Sequence, residues 1–203
     1  MALRTTRYIP DHLSRATQIQ LSRIPITAKP TDIRRLVARA QAPGVEDVAI
    51  EYRQLEPTGR AFLKLTHTSL LMPCLTALES VSIAGVHPLA EPSDRKASRS
   101  TFSGLSSELG SDGKHAVVEG IPSGAGGGHT VLEQLLASMH FRRPHTNERY
   151  VEKLASRTQA IHRFLVRLAS PAEAQRLVRL VHMTHYLPSL YGTKYPLRAR
   201  VIY

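Results

Sequence analysis

The chain has 203 residues, a single cysteine, a formal net charge of +11 and a sequence pI near 10.3. This length gives one large domain or two small ones with modest cores, and the lone Cys74 excludes both an intramolecular disulfide and a thiolate zinc cluster. The excess of Lys and Arg favours a polyanionic partner, since basic groups gain affinity by releasing counterions from phosphates; membrane surfaces and acidic proteins are the other classes that charge allows.

The charge is unevenly spread. Lys114 to Tyr203 holds 13 Lys/Arg against 5 Asp/Glu, whereas Ile24 to Ala90 holds 7 against 6. No stretch reaches the roughly 20 apolar residues that span a bilayer, and no membrane partner is expected. Residues 1–16 form a basic tail or a presequence: four arginines and one acid fall within the first 23 residues, a balance compatible with a mitochondrial address. A nuclear or cytoplasmic address is the alternative.

From there the elements run in order. "QIQLSRIP" predicts a short strand ending at Pro25. "KPTDIRRLVARAQ" spaces Ile33, Leu36, Val37 and Ala40 as a helix, with Asp32 in the first turn where its charge suits the dipole. "VEDVAIEY" and "TGRAFLKL" alternate as strands, "SLLMPCLTALES" predicts a second helix that buries Cys74, and "VSIAGVHPLAEP" a last strand. Residues 93–113, rich in Ser and Gly, read as a flexible linker.

The order then repeats. "HAVVEGIP" is a strand, "TVLEQLLASMHF" a helix, "VEKLA" and "AIHRFLVRL" strands, "SPAEAQRLVRLVHM" a helix and "KYPLRARVIY" a strand. Ser170 with Glu173 makes a capping box, and Pro171 suits the first helical position. Two copies of βαββαβ predict an α+β protein of two ferredoxin-like domains, 17–92 and 114–203. Each would be a four-stranded antiparallel sheet with both helices on one face and the other face bare.

On these residues the chain resembles a pair of RNA recognition motif (RRM) domains. The family's third strand carries K/R-G-F/Y-G/A-F-V-x-F/Y, whose aromatics stack on bases. "TGRAFLKL" keeps Gly59, Ala61, Phe62 and the apolar Leu63, but has Thr58 at the leading base and Arg60 at one aromatic. Alternation sends Ala61, Leu63 and Leu65 to the helices and Arg60, Phe62 and Lys64 to the bare face. Gln20 stands where the first strand would carry an aromatic. Phe62 either stacks on a base or lies under the linker or another domain.

In the second copy Val117 takes the aromatic position, Phe164, Val166 and Leu168 face the core, and Arg163, Leu165 and Arg167 face outward, with Arg198 and Arg200 on the last strand. Such a face can hold an RNA backbone without reading bases. What the resemblance implies is a non-catalytic RNA-binding protein with weak sequence readout, its contacts Gln20, Arg60, Phe62, Lys64, Arg163, Leu165, Arg167, Arg198 and Arg200. The alternative is a protein-interaction or assembly module of a ribonucleoprotein particle, such as a mitochondrial ribosome, with other particle proteins as partners.

Other chemistry is not expected. "SGAGGGH" (Ser123 to His129) follows a strand and precedes a helix but lacks the Gly-Lys-Ser/Thr ending of a phosphate loop. His140, His145, His182 and His185 have no carboxylate or cysteine to complete a zinc set. Arg176 and Arg179 read as the solvated side of an amphipathic helix. No cofactor, metal or catalytic residue is expected.

Overall fold

The computed structural model describes residues 10–94, 113–123, 128–144, 149–155 and 160–203. It forms two compact units, Met1–Glu108 and Leu109–Tyr203. The linker falls largely outside the described residues, as do residues 1–9 of the tail, His145 and most of "SGAGGGH".

In the first unit the strands are β1 (Gln18–Ser22), β2 (Val45–Arg53), β3 (Glu56–Leu65) and β4 (Leu89–Ser93), with helices α1 (Pro30–Ala40) and α2 (Leu71–Leu78). All pairings are antiparallel, in the order β2-β3-β1-β4. Helix α1 starts where Pro30, which has no N–H to waste, meets Asp32, whose Oδ2 accepts the Lys29 N–H at 2.9 Å. It ends at Gln41 in the left-handed region, where the Ala42 N–H returns to the Val37 carbonyl. Ile33 and Leu36 from α1, and Leu71, Cys74, Leu75 and Leu78 from α2, pack on Ile19, Leu21, Ala61, Leu63 and Leu65. Burial holds the Cys74 thiol protonated, with its pKa pushed up to about 11.

The second unit repeats the plan with β5 (His115–Pro122), α3 (Gly128–Ser138), β6 (Val151–Leu154), β7 (Ile161–Arg167), α4 (Pro171–Val181), the four-residue α5 (Pro188–Tyr191) and β8 (Arg198–Ile202). Its antiparallel order is β6-β7-β5-β8. Ser170 caps α4 by accepting the Glu173 N–H at 3.2 Å. Ala116, Val118, Phe164 and Val166 meet Leu132 and Leu136 of α3 and Ala174, Leu177 and Val181 of α4. Both units therefore have the split βαβ topology that the repeat predicts.

Three local features depart from expectation. The last strand of the first unit is only five residues long, because Ala84 and Gly85 (φ 50° and 77°) turn the chain so that Ile83 and Val86 bond each other. Arg176 is not simply solvated: it donates to the Met139 and His140 carbonyls, at 3.0 and 3.1 Å, just beyond α3, and its guanidinium lies 4.3 Å from the centre of the Phe141 ring. Finally, the stretch between α4 and β8 is a hairpin with α5 at its tip.

Candidate nucleic-acid interface

Gly59 settles the backbone of "TGRAFLKL" first. Its φ is +77°, its carbonyl accepts the Ile24 N–H at 2.9 Å, and a Cβ would stand 3.1 Å from the Ile24 carbonyl oxygen. The glycine is needed because β3 is bent against the end of the first strand, a structural demand that exists whether or not a ligand binds.

Register then places the side chains. Ala61 and Leu63 join the core under the helices, so Phe62 between them projects from the other face, opposite Gln20 on β1 and Ala49 on β2. Glu91 of β4 lies beyond Gln20 in the same row. Phe62 is nevertheless only 2% exposed, and Ala49 is buried beside it. The face expected to be bare is closed at its centre, and the ring presents no free surface for a base.

The two cations on this face are engaged. Lys64 Nζ lies 2.9 Å from Glu46 Oε2 and Arg60 Nη1 3.8 Å from Glu51 Oε2. Both acids sit at register shifts of the β2–β3 ladder: Glu46 is the extra residue of β2 between Val45 and Asp47, whereas Glu51 alone faces three residues of β3, Thr58 to Arg60, between Ile50 and Tyr52. A bulge re-aims side chains, and here the first sets Glu46 beside Lys64 and the second brings Arg60 of β3 beside Glu51. With Glu91 exposed in the neighbouring row, the part of the face around Phe62 carries three carboxylates to two cations. It has no net positive charge to draw in phosphate.

The second unit shows the same pattern. Val117 of β5 stands opposite Leu165 of β7 and Arg200 of β8, and Glu119 opposite Arg163 and Arg198. Val117, Leu165 and Arg163 are all buried. Arg163 Nε lies 3.6 Å from Glu119 Oε2, and Arg167 donates to Glu152 Oε2 at 2.7 Å and to the Arg149 carbonyl at 2.9 Å. Arg198 is exposed and Arg200 half-buried. Of the nine residues named from the sequence, register groups Gln20, Phe62, Lys64 and Arg60 on one sheet and Arg163, Leu165, Arg167, Arg198 and Arg200 on the other. Burial and ion pairing then separate Arg198, which is free, from Phe62, Leu165 and Arg163, which are enclosed.

Arg167 has a structural task that sequence reasoning missed: it ties β7 to the chain entering β6. Arg167→Ala is expected to lower the stability of the second unit by about 1–3 kcal/mol through loss of a charged hydrogen bond, measured by urea denaturation. RNA affinity of the folded protein should be unchanged.

Positive charge that is available lies elsewhere on the second unit. Lys114, Arg142, Arg149, Lys153, Arg179 and Arg198 are exposed, and among the described residues none of their side chains has a carboxylate partner. A run count of basic residues could have shown the excess but not which cations stay unpaired. No group of three or more metal-ligating side chains occurs among the described residues, and His182 accepts the Ala199 N–H through Nδ1 at 3.2 Å.

No family model matches the chain, and no curated protein matches it. Among solved structures, it is similar to Sex-lethal RNA recognition domains 1 and 2 from Drosophila melanogaster, at 12% identity and a TM-score of 0.33, covering 91% of this chain and 98% of that one. It is also similar to the first two RRM domains of yeast poly(U) binding protein, at 11% identity and a TM-score of 0.33, covering 91% and 98%. A Sex-lethal protein/RNA complex matches at 14% identity and a TM-score of 0.32, covering 92% and 99%. Likeness at this level carries no argument about a ligand, and the fold assignment rests on the strand order and register above.

Proposed function

We infer that the chain is a non-catalytic RNA-binding protein that grips the phosphate backbone mainly through its second unit and reads sequence poorly. One observation carries this reading: the exposed, unpaired cations of the second unit, set against a first-unit sheet face whose cations are already neutralised by Glu46 and Glu51. Backbone contacts position a nucleic acid without specifying its sequence. With Phe62 and Leu165 enclosed, neither sheet offers the stacking platform that base readout uses.

The test is fluorescence anisotropy of the full chain against a mixed-sequence single-stranded RNA, titrated in salt. The logarithm of the binding constant should fall linearly with the logarithm of salt concentration, by about 0.7 per phosphate neutralised. Arg149→Ala/Lys153→Ala/Arg198→Ala should flatten that slope by about 2, while Arg60→Ala/Lys64→Ala should leave it nearly unchanged. If no RNA binds near physiological salt, or the two variants behave alike, the reading is abandoned.

A further inference from the structure

The hairpin between α4 and β8 is rigidly mounted. Met183 donates its N–H to the Leu197 carbonyl at 2.7 Å, Leu197 returns one to Thr184 at 2.7 Å, and Tyr186 donates to the Tyr195 carbonyl at 2.9 Å. Tyr186 and Leu197 are anchored in the core of the second unit. At the tip, the Tyr191 ring stacks on Tyr186 (centroids 5.8 Å apart, planes at 26°) and meets Tyr195 edge-on at 5.5 Å.

This mount displays apolar side chains to solvent. Leu180, at the end of α4, is 46% exposed, Met183 62%, Leu190 73% and Tyr191 37%. These are four of the nine large apolar side chains exposed among the described residues, and they fall within twelve positions of the chain. Concentration of that kind marks an interaction surface, whereas single exposed apolar residues need no explanation. The charge carried by this part of the chain is of one sign: from Ala174 to Tyr203 there is no Asp or Glu, and Arg179 and Lys194 are exposed.

We propose that this surface, built from the end of α4 and the α5 hairpin, docks an acidic amphipathic segment of a partner protein, with Leu180, Met183, Leu190 and Tyr191 taking its apolar side chains and Arg179 and Lys194 its carboxylates. Charge complementarity selects an acidic occupant and disfavours a second copy of this basic chain. Aliphatic character selects protein over nucleic acid: three of the four side chains have no π face, and the Tyr191 ring is already stacked on one neighbour and edge-on to another. The surface shares Arg179 with the cations of the RNA reading, but its apolar anchors are separate from them, and the Met183→Ser/Leu190→Ser variant tests those anchors alone.

The probe is a fluorescein-labelled synthetic 16-residue helix with leucines on one face and glutamates elsewhere, titrated with the full chain and followed by anisotropy. Saturable binding is expected, weakened about tenfold or more by Met183→Ser/Leu190→Ser and by Lys194→Glu/Arg179→Glu. These positions are on the surface, and an unchanged thermal transition confirms that each variant folds. A matched helix with lysines for glutamates should not bind. The proposal is overturned if the glutamate helix fails to bind, if a helix with serines for leucines binds equally, or if the Met183→Ser/Leu190→Ser protein binds like the parent. Flotation of the parent with phosphatidylserine vesicles, lost on Leu190→Ser, in the absence of peptide binding, would assign the surface to lipid instead.

Discussion

Phe62→Ala is expected to destabilise the first unit by about 3–5 kcal/mol, the usual cost of emptying a buried phenylalanine site, while leaving the RNA affinity of the folded fraction close to that of the parent. The ring is 2% exposed on a face that the helices do not cover, so its removal opens a cavity and does not strip a contact from solvent. Chemical denaturation followed by amide exchange at β1 and β3 measures the first effect, and anisotropy at a temperature where the variant is folded measures the second. The opposite outcome, stability retained and RNA affinity lowered by about 1–3 kcal/mol, would mean that Phe62 stacks on a base and that the face opens to admit one.

The second large effect is at Gly120. A register shift separates Glu119 from Ile121, and Gly120 carries it with φ at +112°. A Cβ there would lie inside the van der Waals distance of the Pro196 carbonyl oxygen and 3.1 Å from Leu197 Cα. Both atoms belong to backbone, at the base of the α5 hairpin, and cannot rotate away. Gly120→Ala should therefore cost more than the about 1–3 kcal/mol of backbone strain alone, seen as a marked fall in the urea midpoint of the second unit. Gly192→Ala is the control: its φ is +57°, but nothing lies within 4 Å of the added carbon, so only about 1 kcal/mol of conformational cost is expected there. Equal losses at the two positions would show that the close approach to Pro196 does not matter.

The sequence was most readable where a period meets a punctuating residue. Ile33 and Leu36 after Pro30, or Ala174 and Leu177 after Ser170-Pro171, announce helices because spacing and capping agree. The alternation of Ala61, Leu63 and Leu65 against Phe62 and Lys64 gave the correct face for each side chain. Parity says which way a residue points and nothing about what closes over it, and that is why Leu165 was expected in the open and Phe62 stood between an open place and a covered one. The ion pairs were hidden for another reason. Strict alternation has no place for a shift at Glu46 in β2 or at Thr58 to Arg60 in β3, yet those two shifts set carboxylates beside Lys64 and Arg60. The α5 hairpin was illegible because Pro188 and Gly192 break it into pieces too short to show any period.

The bulge in β2 has a further consequence for how such a chain keeps to itself. β2 is the outermost strand of its sheet, nine residues long, and a flat outer strand of that length is a template onto which another molecule's strand can add. The bulge at Glu46 increases its local twist, and Glu46 brings charge to its rim. The counterpart in the other unit, β6, has only four residues, too few to hold a foreign strand in register. The irregularity that sets Glu46 beside Lys64 thus also blunts the sheet's margin, and a β2 straightened by its removal would offer that margin to a second strand.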